Sequence, residues 1–170
     1  MEISYYQKMR NIERLSGHYK HRQYNLMEHS YMVAVLFSHF AVLEDVSYDI
    51  KTIDNILHHD ILETVTGDLV SPVKYASEIT AECWETIESE LLKIHFQLDK
   101  YSDSKFKESF NELQHQLFKS CDYLDLWIFC KEEVELGNHT KGILEVIKNC
   151  ERLIGGRFKW IVKYMSEYGK

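Results

Sequence analysis

The sequence is poor in residues that break helices and in those that staple small folds. Pro72 is its one proline and only seven glycines are spread over 170 residues, so little in the composition interrupts long helical segments. No Ser/Gly/Pro-rich linker and no internal repeat divides the chain. One domain over residues 1–170 is expected, burying about two thirds of its unfolded surface. The four cysteines, Cys83, Cys121, Cys130 and Cys150, form no CxxC pair. The N-terminal MEISYYQKMRNIERL has no apolar run of signal-peptide or transmembrane kind. These absences read as a cytoplasmic protein with free thiols and no membrane partner. Basic residues are also short. Lys and Arg number 20 against 27 Asp and Glu, a formal charge of -7, which excludes broad nucleic-acid binding through an extended basic face. Small anionic ligands stay open wherever positive charge is local.

What is present is helical periodicity. From Asn25 onward, His29, Met32, Val33, Leu36, Phe40 and Leu43 fall on one stripe, which turns His29 inward. A shorter helix uses Ile50, Ile53 and Leu57. Asp60 lies three residues beyond Leu57 and His59 three beyond Ile56, so both face inward too. Gly67 and Pro72 bracket a loop. Helices are expected over about Ala76 to Lys100, Phe106 to Leu136 and Lys141 to Tyr168, an all-α bundle. In the second of these Leu113, Leu117, Cys121, Leu124 and Ile128 form the stripe, with Asp122 at its border.

Four polar groups from three helices thus approach one interior. Burying an ionised carboxylate without a partner costs several kcal/mol, and a cation offsets that cost for the whole group. Taken singly, His29 reads as a hydrogen-bonded core histidine, Asp122 as a helix-surface carboxylate and His59 with Asp60 as a capping pair. Taken together those readings need three coincidences. Two imidazoles and two carboxylates make a mixed nitrogen and oxygen set suited to Mn, Fe, Co, Zn or Mg, with positions left for water and a phosphate oxygen.

These residues also carry a resemblance. His29, His59-Asp60 and Asp122 reproduce the H...HD...D pattern of the HD-domain metal-dependent phosphohydrolases. The surrounding NLMEHSYMVA, HHDILETVTGDLVSPVKY and KSCDYLDLWIFCKEEVELGN are similar to the 5'-deoxynucleotidase branch, over about Arg14 to Asn138. The resemblance implies an HD-domain helical bundle and one divalent ion (Co, Mn, Zn or Mg) held by His29, His59, Asp60 and Asp122. It further implies hydrolysis of a (deoxy)nucleoside 5'-monophosphate, and a homodimer.

The remaining chemistry needs a water nucleophile and proton handling. Glu63, three residues past Asp60, lies on the same face of a continuing turn, and the resemblance implies that it is catalytic. Asp68 follows Gly67, whose freedom permits a turn back toward the site. The resemblance implies that it touches substrate or orients water; a turn-capping aspartate is the plain alternative. Positive charge is local: Arg14, Lys20 and Arg22 with His18 and His21 precede His29, and Lys74 closes TGDLVSPVK. Arg14 stands where the similar enzymes carry a phosphate-binding arginine. Leu15 stands where they carry a tryptophan that shapes the sugar pocket, which implies looser sugar selectivity. His58 reads as a packing residue behind the site. Two alternatives remain on the same scaffold: a deoxynucleoside triphosphate triphosphohydrolase of the dATPase kind, and a non-catalytic nucleotide-binding module using Tyr5, Tyr6, Tyr164 and Tyr168 as a partner surface.

Overall fold

The computed structural model describes residues 3–68, 74, 76–96 and 110–169. Their helices are α1 (Ile3–Met9), α2 (Leu26–Leu43), α3 (Ile50–Leu57), α4 (Glu63–Thr66), α5 (Glu78–Phe96), α6 (Glu112–Glu135), α7 (Lys141–Ile154) and α8 (Lys159–Glu167). No strand occurs among the described residues. A single antiparallel bridge, Glu13 with Asn25, closes the loop between α1 and α2. Pro72, Tyr75 and the stretches 97–100 and 106–109, named in the sequence reading, lie outside the described residues.

Helix starts follow from side chains that satisfy orphan amides. Asn25 Oδ1 accepts the Glu28 N–H at 2.9 Å and so begins α2. Asp49 with Thr52, and Asn111 with Gln114, form reciprocal capping boxes at α3 and α6. The helix expected from Phe106 therefore begins at Glu112, because Asn111 is its cap. The helix expected from Lys141 to Tyr168 is two helices. Gly155, in the left-handed region at φ 60°, ends α7, and the chain turns before α8.

The central layer is α2 packed on α6, with α7 on the other flank of α6 and α3 beside α2. Its core holds Phe37, Phe40, Phe118, Leu117, Leu124 and Ile143. A second cluster, Met9, Leu26, Ile61, Leu62, Leu92 and Phe96, ties α1 and α5 to the turn after α3. The stripes differ in phase from the sequence reading. In α2 the buried positions are Leu26, His29, Ser30, Val33, Ala34, Phe37, Phe40 and Ala41, while Leu43 is exposed. In α3 Thr52 and Ile56 are buried and Ile50 is exposed; in α6 Leu113 is exposed. Helix α2 is long and apolar enough to cross a membrane by length and composition. Here it is the helix against which α6 and α3 pack, and it carries a buried histidine. Of the terminal tyrosines, Tyr5 packs on Phe96 at 4.5 Å between ring centroids and Tyr168 on Trp127 at 5.1 Å, while Tyr164 is exposed.

Candidate metal centre and active site

The turn after α3 decides the arrangement. Helix α3 stops at Leu57, and the next residues close through i to i−3 bonds: His59 N to Ile56 O, Ile61 N to His58 O and Glu63 N to Asp60 O. Such a tightened turn has about three residues per revolution, so residues three apart eclipse, and Asp60 and Glu63 come to one side. Ile56 anchors the near end of this segment in the larger core, and Ile61 and Leu62 anchor the far end in the smaller one. His58, as expected, packs behind the site: its Nε2 meets the Tyr6 hydroxyl at 2.8 Å and so ties α1 to the turn.

Four groups converge in front of it. His29 Nε2 is 3.3 Å from His59 Nε2, 3.3 Å from Asp122 Oδ1 and 3.7 Å from Asp60 Oδ2, which is itself 3.2 Å from His59 Nε2. One donor atom each from His29, His59 and Asp122 lie within 4.8 Å of one another. The far nitrogens fix the tautomers. His59 Nδ1 faces the Ile56 carbonyl at 2.7 Å and must donate to it. His29 Nδ1 faces Asp125 Oδ2 at 2.7 Å, a carboxylate that also accepts the Tyr24 hydroxyl at 2.6 Å. With both Nδ1 atoms protonated, two Nε2 lone pairs point at each other across 3.3 Å between two carboxylates. That donor set fits a divalent cation, and Asp125 behind His29 is the usual support of a metal-binding imidazole.

The electrostatics demand positive charge at this point. Burial opposes ionisation of Asp60, yet His59 and Arg14 hold it well below the usual carboxylate range. Lys119 and the two imidazoles do the same for Asp122 against its own burial. His59 is pushed up by Asp60 and Asp122 although burial works the other way.

Around the cluster the remaining residues of the sequence reading assemble. Arg14 Nη1 lies 2.6 Å from Asp60 Oδ2 and 3.5 Å from Glu63 Oε2. Lys74 Nζ lies 3.5 Å from Glu63 Oε1 and 4.0 Å from Glu88. Glu63 is buried, and its Oε2 makes no hydrogen bond among the described residues. Burial, then the charge of Asp60, pushes its carboxyl up to about 8, against the pull of Arg14 and Lys74. Arg14, Leu15, Asp68 and Lys74 all line a cavity of about 830 Å³ that includes His59, Asp60 and Asp122.

Several residues escaped the sequence reading. Asp125 and Tyr24 orient His29, and Lys119 Nζ sits 3.1 Å from Asp122 Oδ2. Lys119, Asp122 and Asp125 are spaced i, i+3, i+6, which keeps them on one side of α6, and that spacing was the available signal. Glu133 is fully buried and accepts the His21 and Arg22 amides at 2.7 and 3.0 Å and the Asn138 amide at 2.9 Å, pinning the loop that follows Arg14. Only Asn138 is near it in the sequence; His21 and Arg22, whose amides give the anchor its role, are more than a hundred residues away.

Comparison with known proteins agrees with this geometry. The family model of YfbR-like 5'-deoxynucleotidases matches residues 3–160. A 5'-deoxynucleotidase of Vibrio atlanticus is 29% identical over 127 residues, 68% of this chain and 65% of that protein, so the match spans about two thirds of the relative's length. An HD-domain phosphohydrolase from Listeria innocua superposes with a TM-score of 0.70 at 21% identity, over 97% of this chain and 86% of that one. The HD phosphohydrolase of cyanophage S-2L, solved with dA and one catalytic Zn2+ ion, gives 0.66 at 17% identity, over 89% and 83%. The likeness in three dimensions establishes the helical fold of HD-domain phosphohydrolases, and by the match over residues 3–160 the chain belongs to the YfbR-like 5'-deoxynucleotidase family.

Proposed function

We propose that this chain hydrolyses (deoxy)nucleoside 5'-monophosphates to nucleoside and inorganic phosphate, with one divalent ion (Co, Mn, Zn or Mg) held by His29, His59, Asp60 and Asp122. The observation that carries the reading is the pair of imidazole nitrogens meeting at 3.3 Å between two carboxylates, beside Arg14 and a buried Glu63. Family membership and the Zn2+ and dA bound by the cyanophage enzyme support it. Lewis acidity toward phosphoryl oxygens and water is what such an ion supplies when bound.

The protein's own residues do the rest. Arg14 spends one nitrogen on Asp60 and Glu63, and among the described residues the rest of its five-donor fork makes no hydrogen bond, which suits it to hold phosphate oxygens. Lys74 supplies a second charge from the opposite side of Glu63. Water attacks phosphorus as the bond to the 5' oxygen breaks. Glu63, whose carboxyl is pushed up by burial and Asp60, gives that oxygen its proton and is restored by the proton the attacking water loses. Asp68, on the cavity wall, orients the water or the substrate, and Leu15 borders the sugar. Arg14, Lys74 and Lys119 each already face a carboxylate, a balance that suits one phosphate dianion rather than a triphosphate.

Residues 1–170 act as one domain in this reading. The enzyme works in the cytoplasm as a homodimer, for which the exposed Ile79, Ile87 and Ile94 on one face of α5 offer contact surface. Sedimentation of the purified protein tests the last point. Phosphate release from a panel of nucleoside mono- and triphosphates with Co, Mn, Mg or Zn tests the activity. Release of tripolyphosphate from dATP with monophosphates untouched would replace it by the triphosphohydrolase, and nucleotide binding without turnover by the non-catalytic module.

A further inference from the structure

The cavity that Glu63 lines contains a second feature, in the turn after Arg14. Leu15 adopts φ 53°, a left-handed conformation that a leucine rarely takes. Its carbonyl then accepts the His18 N–H at 2.9 Å, so the chain doubles back immediately after Arg14. The turn delivers the His18 ring onto α7 at Gly142. A Cβ on Gly142 would collide with His18 Nδ1 and stand 2.9 Å from Cε1, so any other residue here would push the ring out of this place. The left-handed region is disfavoured for leucine, and a glycine in the first turn of α7 leaves the ring its space. Both features serve one side chain. Among the described residues that imidazole makes no hydrogen bond and no ion pair. It is half-buried and lines the same cavity as Arg14, His59 and Asp122.

The composition of the two cavity walls says what this ring meets. Beside Glu63 the cavity presents Asp68, Lys74 and Glu88; from the Arg14 turn, α6 and α7 it presents an apolar group, Leu15, Tyr123, Leu126 and Val146, bordered by the polar Glu145, Asn149 and Arg152. A phosphate at Arg14 belongs with the charged groups, and a flat, uncharged nucleoside belongs against the apolar ones. We propose that His18, seated in the Gly142 notch, is a specificity-determining residue that hydrogen-bonds a heteroatom of the nucleoside. The inference deepens the nucleotidase reading and rests on it for substrate class.

The test uses His18→Ala, Gly142→Ala and the double variant in the metal-loaded protein. Michaelis constants are measured for deoxynucleoside 5'-monophosphates, for deoxyribose 5-phosphate and for phenyl phosphate, and deoxynucleoside binding is measured by calorimetry. His18→Ala is expected to raise KM for nucleotides about tenfold, the effect of one lost hydrogen bond, with kcat and phenyl phosphate hydrolysis unchanged. Gly142→Ala should reproduce that rise by displacing the ring, with unimpaired thermal stability since alanine favours helix, and should add nothing once His18 is alanine. A parallel rise on deoxyribose 5-phosphate assigns the contact to the sugar, and its absence assigns it to the base. Unchanged KM and unchanged nucleoside affinity in His18→Ala overturn the proposal, as does an equal loss on phenyl phosphate. If the parent hydrolyses no monophosphate, the nucleotidase reading fails, and the calorimetric arm alone still decides whether His18 holds a nucleoside.

Discussion

Asp125 touches no candidate substrate and yet should control the metal. Its Oδ2 accepts both the Tyr24 hydroxyl at 2.6 Å and His29 Nδ1 at 2.7 Å, and the carboxylate is 5% exposed. Deleting it strands two buried donors. Each lost bond to an ionised acceptor costs roughly 1.5 to 3 kcal/mol, so Asp125→Ala removes about 3 to 6 kcal/mol from a fold of ordinary stability, about 5 to 15 kcal/mol. At about 2 to 4 °C per kcal/mol for a chain of this size, melting falls by 6 °C or more, and the variant reports mainly on folding. Asp125→Asn is the cleaner perturbation because shape is kept. The amide has one acceptor where the carboxylate had two, and if its NH2 faces His29 the imidazole must accept at Nδ1. The proton then moves to Nε2, where the lone pair for the cation was. Support groups of this kind are worth about 10- to 100-fold in metal affinity, which is about 1.4 to 2.7 kcal/mol. Calorimetric titration of the metal-free protein with Zn2+ or Mn2+ measures it, with circular dichroism to show that the fold persists. Both bonds end on one oxygen, so the ring tautomer is read as well, from the nitrogen NMR shifts of His29: a folded Asp125→Asn protein with the proton on Nε2 that binds the ion as tightly as the parent would refute the tautomer argument.

The other expectations concern Glu63, Arg14 and the ligands. Glu63→Gln should keep metal and substrate affinity while kcat drops about a hundredfold or more, the usual loss for a missing acid; loss of the ion would make Glu63 a ligand instead. Its carboxyl, raised from 4.5 to about 8 by burial and Asp60, favours folding when protonated. That contribution is complete below about 4.5 and fades as pH rises through about 8, so metal-free parent should lose melting temperature across this window relative to Glu63→Gln. A bound cation draws the value down, so in the loaded enzyme the alkaline fall in kcat lies below about 8. Arg14→Ala should raise KM and lower kcat, each by about tenfold or more, since the guanidinium meets a phosphate whose charge redistributes during transfer. His59→Ala should abolish stoichiometric uptake of the ion, as followed by elemental analysis after gel filtration. Chelation of the parent should lower its melting temperature by removing the charge that holds Asp60 and Asp122 together.

What the sequence made legible depended on how local the cause was. The HHD turn announced itself because polar groups broke an apolar pattern, and Asp60 to Glu63 spacing survives whether the turn has 3.0 or 3.6 residues. Phase was harder. In LMEHSYMVAVLFSHFAVL apolar residues cover most of the circumference, so a stripe through Leu43 and one through Phe37 fit the letters equally well. Packing against α6 chose the second. The split of the last helix was local and readable, since Gly155-Gly156 interrupts it. Groups that only support others left fainter traces: Asp125 is one carboxylate among several on α6 until His29 is placed against it, and Glu133 acquires its role only when the loop after Arg14 folds over the end of that helix. His18 and Gly142 are the extreme case. They are separated by most of the chain, and neither is unusual alone. The collision that a Cβ would cause is what turns a surface histidine and a helix glycine into one device. Direct donors to a cation can be found by pattern because their chemistry fixes their type. Positioning groups are fixed by shape, and shape is written in pairs of residues that the linear sequence keeps apart.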